Sequence, residues 1–325
     1  MGLRILAIGS YLPEKVLSNA DLEKMVDTSN EWIIERTGIR ERRIASPDES
    51  TSDLAFKAAM DALKKADIKP EELDAIIVAT ASPDYLFPAT ACIVQSMLGA
   101  YNAMCFDVEA ACPGFIYALE IARGLLNLPN YKYVLIIGAE TLSRLVDWTD
   151  RNTCVLFGDG AGAAVVTKDD SDSDVISSYM KGNGEVHHLL MLPAGGARKP
   201  ASSETVKNRE HFIKMQGREV FKYAVTGMQE AALKTLEKAG LTADSIDWLV
   251  PHQANIRIIE ATRERLNIDP SKVYVNIERT GNTSAASIPI ALAEMDEKNL
   301  LKRGHKVLLV SFGAGFIYGA ILLKW

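Results

Sequence analysis

Cysteine is scarce in this chain, and the little there is lacks metal or redox spacing. The four thiols, Cys92, Cys105, Cys112 and Cys154, form no C-x-x-C pair, and no nearby histidine or carboxylate completes a zinc set. A disulfide framework and a structural metal are therefore poor fits, since free cysteine usually serves as a small buried apolar residue. Long hydrophobic runs are missing too. Stretches such as 75–79, 134–137 and 307–310 have strand length, far below the ~18 residues of a membrane helix. The first residues contain no apolar signal core, and Leu6 stands where a myristoylation signal needs Ser or Thr. We expect them to form a first strand, in a cytoplasmic protein without membrane contact. Basic excess is also absent: a net charge of −6 argues against broad nucleic-acid binding, which needs a basic footprint. Only local clusters remain for an anionic partner, Arg36, Arg40, Arg42 and Arg43 in one segment and Arg257, Arg263 and Arg265 in another. Each cluster also suits an ordinary solvated helix face.

What the chain does have is length, an apolar fraction of 48% and a repeat. Its 325 residues suffice for two packed layers or two domains. Strand-like and helix-like segments alternate, with helices predicted at 54–66, 115–126, 221–239 and 256–266. Residues 63–77 align without gaps on 236–250, placing Asp74 on Asp247, and the same offset carries Val134 onto Val307. Both copies then enter a Phe-Gly-x-Gly turn, at 157–160 and 312–315, the first after an insertion that holds Arg151. We therefore expect two similar α/β halves, 1–170 and 171–325, related by a pseudo-two-fold axis.

Ligands in open α/β sheets collect beyond the carboxyl ends of strands. Cys112 follows a predicted strand at 104–108, His252 one at 248–251, and Asn282 one at 273–277. In the repeat, Asn282 occupies the counterpart of the Cys112 loop, so the axis would bring the two loops face to face. Cys112 also opens a predicted amphipathic helix, with Pro113 suited to its first position and Gly114 leaving room for a substrate. Dipole potential there favours a thiolate, although a buried cysteine that merely begins a helix would look the same. His252 alone reads equally as a structural hydrogen-bonder, and Asn282 as a turn or cap residue. The Gly-rich run 158–163 has no following lysine and leads into a strand, so it reads as close backbone packing rather than a phosphate loop. Taken together, Cys, His and Asn suit thiol catalysis in which two polar side chains hold a carbonyl oxygen that becomes anionic.

Around these residues the sequence resembles the β-ketoacyl-acyl-carrier-protein synthase III family of the thiolase-like superfamily. The resemblance runs over nearly the whole chain, through Gly9-Ser-Tyr-Leu-Pro13, Asn30-Glu-Trp-Ile-Ile-Glu-Arg-Thr-Gly-Ile-Arg40, Gln95-Ser-Met-Leu-Gly99, Ala110-Ala-Cys-Pro-Gly-Phe115, Gly158-Asp-Gly-Ala-Gly-Ala163, Pro251-His-Gln-Ala-Asn255 and Gly281-Asn-Thr-Ser-Ala-Ala286. It implies a five-layered αβαβα fold of two duplicated halves and a homodimer. It also implies the initiating condensation of fatty-acid synthesis, an acyl-CoA primer (acetyl-CoA in the first instance) joined to malonyl-acyl-carrier protein. No metal or organic cofactor is implied. Cys112 would carry the acyl group, while His252 and Asn282 would hold the malonyl thioester oxygen during decarboxylation. Backbone N–H groups of Cys112 and Ala314 would form the oxyanion hole. For coenzyme A the resemblance points to Trp32, Arg36, Arg151, Gly217, Phe221 and Asn255. For the acidic carrier protein it points to Gln253, Ala254, Asn255, Ile256 and Arg257, and for the acyl pocket to Phe87, reaching in from a neighbouring subunit. Pro113 and Ala314 stand where some members have Ala or Gly, and neither change removes a reacting side chain. Related polyketide-type condensing enzymes share the three residues, and papain-type hydrolases use the same three residue types for a different reaction.

Overall fold

Val, Ile, Leu and Ala fill the strand-length runs, and they build two mixed sheets. The computed structural model describes residues 2–169 and 174–325, so the expected boundary between 170 and 171 lies outside the described residues. The first sheet comprises β1 (Leu3–Tyr11), β2 (Ala75–Ala79), β3 (Met104–Val108), β4 (Tyr133–Thr141) and β5 (Asp159–Lys168). Their spatial order is β1-β5-β4-β2-β3, with β1, β5 and β4 antiparallel and β4, β2 and β3 parallel. The second comprises β6 (Val175–Gly182), β7 (Trp248–Pro251), β8 (Lys306–Gly313) and β9 (Ile317–Lys324), in the order β6-β9-β8-β7 with the same sequence of directions. Even the register repeats. Ala75 lies opposite Val134, and their repeat counterparts Trp248 and Val307 lie opposite each other.

Because side chains alternate across a strand, each sheet feeds two apolar layers. Ile76, Val78, Leu135 and Ile137 face one outer layer with α2 (Thr51–Ala66) and α3 (Thr90–Leu98), following α1 (Asn30–Thr37) in the chain. Ile77, Ile136, Val307 and Leu309 face the middle, where α4 (Gly114–Leu125) and α7 (Ser287–Glu297) lie between the sheets. Leu249, Leu308 and Val310 face the other outer layer with α5 (Gly217–Ala239) and α6 (Ile256–Arg265). The result is the layering αβαβα. Glycine permits the tightest contact of the middle layer: a Cβ at Gly138 of β4 would stand 2.3 Å from the Ala285 carbonyl oxygen. That contact seats the loop before α7 directly on the first sheet.

One expected strand does not form. Residues 273–277 make a single bridge, Val273 to Leu249, where the second sheet would hold its counterpart of β3. Gln253 is the reason. Its Oε1 accepts from the N–H groups of Asn276 and Ile277, and its Nε2 donates to the carbonyls of Pro251 and Tyr274. A side chain thus satisfies the backbone that a ladder would otherwise pair.

Candidate active site

Cys112 lies in the turn between β3 and α4. Pro113 is the N-cap of α4 rather than its first residue, and Ala111 has φ +41°, a left-handed conformation that costs an L-residue free energy. Glu109 steadies this turn by accepting from the Ala111 N–H at 3.1 Å. The end of β8 closes on it from the other half, since a Cβ at Gly313 would meet the Cys112 nitrogen at 2.8 Å.

His252 follows β7 and is fully buried. Its Nδ1 lies 2.7 Å from Ser287 Oγ, at the first residue of α7, and its Nε2 has no partner among the described residues. Ser287 Oγ also accepts from the Gln253 N–H at 3.4 Å. When the Ser287 hydroxyl donates to Nδ1, the imidazole proton sits on Nε2 and makes that nitrogen a donor. Asn282 is clamped by its backbone: its N–H donates to Leu156 and its carbonyl accepts from Gly158. Its Oδ1 accepts from the Ser284 N–H at 2.9 Å, leaving the amide N–H groups for a ligand.

Cys112, His252 and Asn282 share one cavity of roughly 720 Å³, within the usual range for small-molecule sites. Trp32, Arg36, Gly217, Phe221, Asn255 and Arg257 line it too, with Arg36, Gly217 and Arg257 at its exposed end. Arg36 and Arg151 place their guanidinium carbons 6.0 and 5.1 Å from the Trp32 ring centre, and Arg257 lies 5.7 Å from that of Phe221. The first basic cluster thereby divides: Arg36 reaches the cavity, whereas Arg42 is fully buried, donating to Val155, Leu17 and Asn19.

The structure corrects one expected carrier-protein contact, Gln253, and places the other expected residues. Gln253 is fully buried and saturated by backbone, so it has nothing to offer a docking protein. Ala254 is buried against the cavity, and Ile256 packs on Gly38, where a Cβ would meet it at 2.7 Å. Asn255 caps α6 and donates to the Arg36 carbonyl. Of the five residues 253–257, Arg257 alone is exposed. Ala314 is not among the cavity-lining residues, which reach Gly313. Phe87 lies outside the cavity as well and is 86% exposed.

Electrostatics also corrects the expectation of a thiolate. Burial pushes the Cys112 thiol up to about 12, and the Glu140 and Glu109 carboxylates add to the rise. Burial holds His252 down at about 3, so the ring is neutral. Glu140, at the end of β4, is raised by burial to about 7. Glu140, Ser284 and Ser287 are the site residues that sequence reasoning missed. The signal for Ser284 and Ser287 was their place just after Asn282, in the loop facing Cys112.

A thiol supplied by one sheet and a hydrogen-bonding pair supplied by the other mark the thiolase-like condensing acyltransferases. The family model for 3-oxoacyl-[acyl-carrier-protein] synthase III matches residues 106–184, and the model for the C-terminal part of that synthase matches 236–325. A β-ketoacyl-[acyl-carrier-protein] synthase III of Caldanaerobacter subterraneus subsp. tengcongensis is 56% identical over 99% of this chain and 97% of its own. One from Syntrophomonas wolfei is 53% identical over 100% and 98%. The crystal structure of 3-oxoacyl-[acyl-carrier-protein] synthase III from Aquifex aeolicus is 49% identical, with a TM-score of 0.92 over the whole of both chains. The chain belongs to the 3-oxoacyl-[acyl-carrier-protein] synthase III family.

Proposed function

We propose that this acyltransferase takes an acyl group from coenzyme A, acetyl in the first instance, onto Cys112 and condenses it with malonyl-acyl-carrier protein, so beginning a fatty-acid chain. The observation that carries the reading is the meeting of Cys112, His252 and Asn282 in a cavity that Trp32 and the exposed Arg36 and Arg257 also line. The indole offers a stacking face for adenine, and Arg36 and Arg151 offer charge for phosphates. Cys112 Sγ attacks the thioester carbonyl, and the Cys112 and Ala314 N–H groups receive the oxyanion. With coenzyme A gone, the malonyl thioester places its carbonyl oxygen between His252 Nε2 and the Asn282 amide. These two donors stabilise the enolate as carbon dioxide leaves, and the carbanion attacks the acyl-Cys112 thioester. Both groups in transit are substrates, and the reading calls for no cofactor.

Arg257 faces the acidic carrier, whose approach it steers by opposite charge. We place the halves at 1–170 and 171–325, supported by the repeated strand order, and the protein in the cytoplasm. A homodimer accounts for Tyr85, Leu86 and Phe87, three consecutive exposed apolar side chains at 62%, 81% and 86%.

The test follows the half-reactions separately. Intact mass after mixing with acetyl-CoA should show one acetyl group, absent in Cys112→Ala, which retains malonyl decarboxylation. His252→Ala and Asn282→Ala should lose carbon dioxide release by about 10²-fold or more each. Arg257→Glu should raise KM for malonyl carrier protein and leave that for acetyl-CoA alone. Turnover with malonyl-CoA but not with its carrier-protein ester would instead favour a polyketide-type acceptor.

A further inference from the structure

Of the first basic cluster, Arg42 cannot meet an anion from solution, because no part of it is exposed. It stands on the hairpin of Lys15–Ser18 and Glu41–Ile44, a two-stranded sheet separate from the two main ones. Its guanidinium donates from Nη1 to the Leu17 carbonyl at 3.1 Å and to Asn19 Oδ1 at 2.9 Å, and from Nη2 to the Val155 carbonyl at 2.8 Å. All three acceptors are uncharged. A buried cation held by neutral oxygens is a costly brace where apolar side chains could pack instead. What the fork reaches gives the cost a purpose. Val155 opens the segment 155–158, on which Asn282 hangs: the Asn282 N–H donates to the Leu156 carbonyl at 2.8 Å, and the Gly158 N–H donates to the Asn282 carbonyl at 3.0 Å. Phe157 and Asn282 form a parallel bridge between these bonds. The stem of Arg42 lies against the same frame. A Cβ at Gly158 would stand 3.1 Å from the Arg42 Cβ, and one at Gly281, just before Asn282, would stand 3.0 Å from it. Arg42 therefore grips the frame twice, at Val155 through its head and beside Gly158 and Gly281 through its stem.

We propose that Arg42 is a positioning residue for carbon dioxide release: by fixing 155–158 against the hairpin, it sets where the Asn282 amide meets the malonyl thioester oxygen; the proposal rests on the condensing reading above. The bond from the Ser284 N–H to Asn282 Oδ1 lies within one loop, so it orients the carboxamide and leaves the position of the loop to the frame. Donors to an enolate act over a narrow range of distance, and a misplacement of about 1 Å costs on the order of 10²-fold in rate. Cys112 takes its place from other groups, Glu109 in its own turn and Gly313 from the second sheet, so acyl transfer does not depend on Arg42. A general brace would behave differently. Asn19, which accepts from Arg42, also donates to Asn30 Oδ1 at 3.1 Å, at the start of the helix that carries Trp32 and Arg36. Loss of a general brace would therefore disturb the coenzyme A end together with Asn282.

The test is a double-mutant cycle of the full chain, comparing wild type, Arg42→Met, Asn282→Ala and the variant carrying both. Methionine keeps an unbranched stem beside Gly158 and Gly281 and removes the fork. Carbon dioxide release from malonyl-acyl-carrier protein is measured per active site, with sites counted by intact mass in a parallel sample mixed with acetyl-CoA. We expect Arg42→Met to lose about 10²-fold in carbon dioxide release, to keep its acetylation rate and KM for acetyl-CoA, and to add nothing to the loss already present in Asn282→Ala. Arg42→Lys keeps the charge but offers a single point where the fork joins two segments, so it should lose part of the same rate and keep acetylation. Full release in Arg42→Met, an equal fall of acetylation in either Arg42 variant, or additive losses in the double variant overturns the positioning role. Failure of both Arg42 variants to reach an acetylatable state overturns it too, and makes the residue a folding brace. A wild type that is never acetylated, or an Asn282→Ala that releases carbon dioxide at full rate, overturns the condensing reading instead.

Discussion

At the scale of single residues, the role proposed for His252 is that of a fixed donor. Its ring sits far below the ordinary histidine value of 6.5, at about 3, and so stays neutral as pH falls through the range in which an exposed histidine becomes charged. Carbon dioxide release by the Cys112→Ala variant should therefore show no inflection near pH 6.5 in a profile from pH 5.5 to 8.5. An acid limb in that window that persists in Glu140→Gln would mean that the ring titrates freely. Ser287→Ala releases Nδ1 and lets the two tautomers compete, so the same assay should lose part of the ~10²–10³ that one such donor supplies. The nucleophile, the imidazole and the carboxamide were legible in the sequence because each sits in a loop at a strand end. Glu140 was not. One carboxylate after an apolar run reads as the exposed end of a strand, and only the seating of residues 284–286 on Gly138 reveals that it is covered. The resting state of Cys112 was misread for the same reason: a helix start is visible in one dimension, whereas desolvation and two nearby carboxylates are not.

Among the elements, the four helices read from the sequence form within a few residues of their expected bounds, since periodicity and caps fix them locally, whereas α1, α3 and α7 were not read. The predicted strand at 273–277 failed because its hydrogen-bond partner is a side chain distant in sequence. That substitution makes Gln253 a structural keystone rather than a docking contact. Gln253→Ala strands two buried N–H groups and two carbonyls at once. It should lower unfolding free energy by about 1–3 kcal/mol or more, read from denaturant midpoints. An unchanged midpoint would mean that water replaces the amide at no cost.

For the molecule as a whole, the duplication was the most legible feature, because the same offset that aligns two segments of sequence also sets the strand register in both sheets. What a single chain cannot display is its assembly. If the exposed run at 85–87 is the contact, Leu86→Asp should shift sedimentation from dimer to monomer, and a dimer that persists would move the interface elsewhere.

The indole of Trp32, flanked by the guanidinium groups of Arg36 and Arg151, lines the same cavity as the Cys112 sulfur. A flat base that slides against it displaces water and changes the polarity around the ring. If the adenine of coenzyme A stacks there as proposed, the protein carries its own optical gauge of occupancy, and with the other three tryptophans replaced by phenylalanine the arrival of the first substrate can be timed from native emission without attaching a dye.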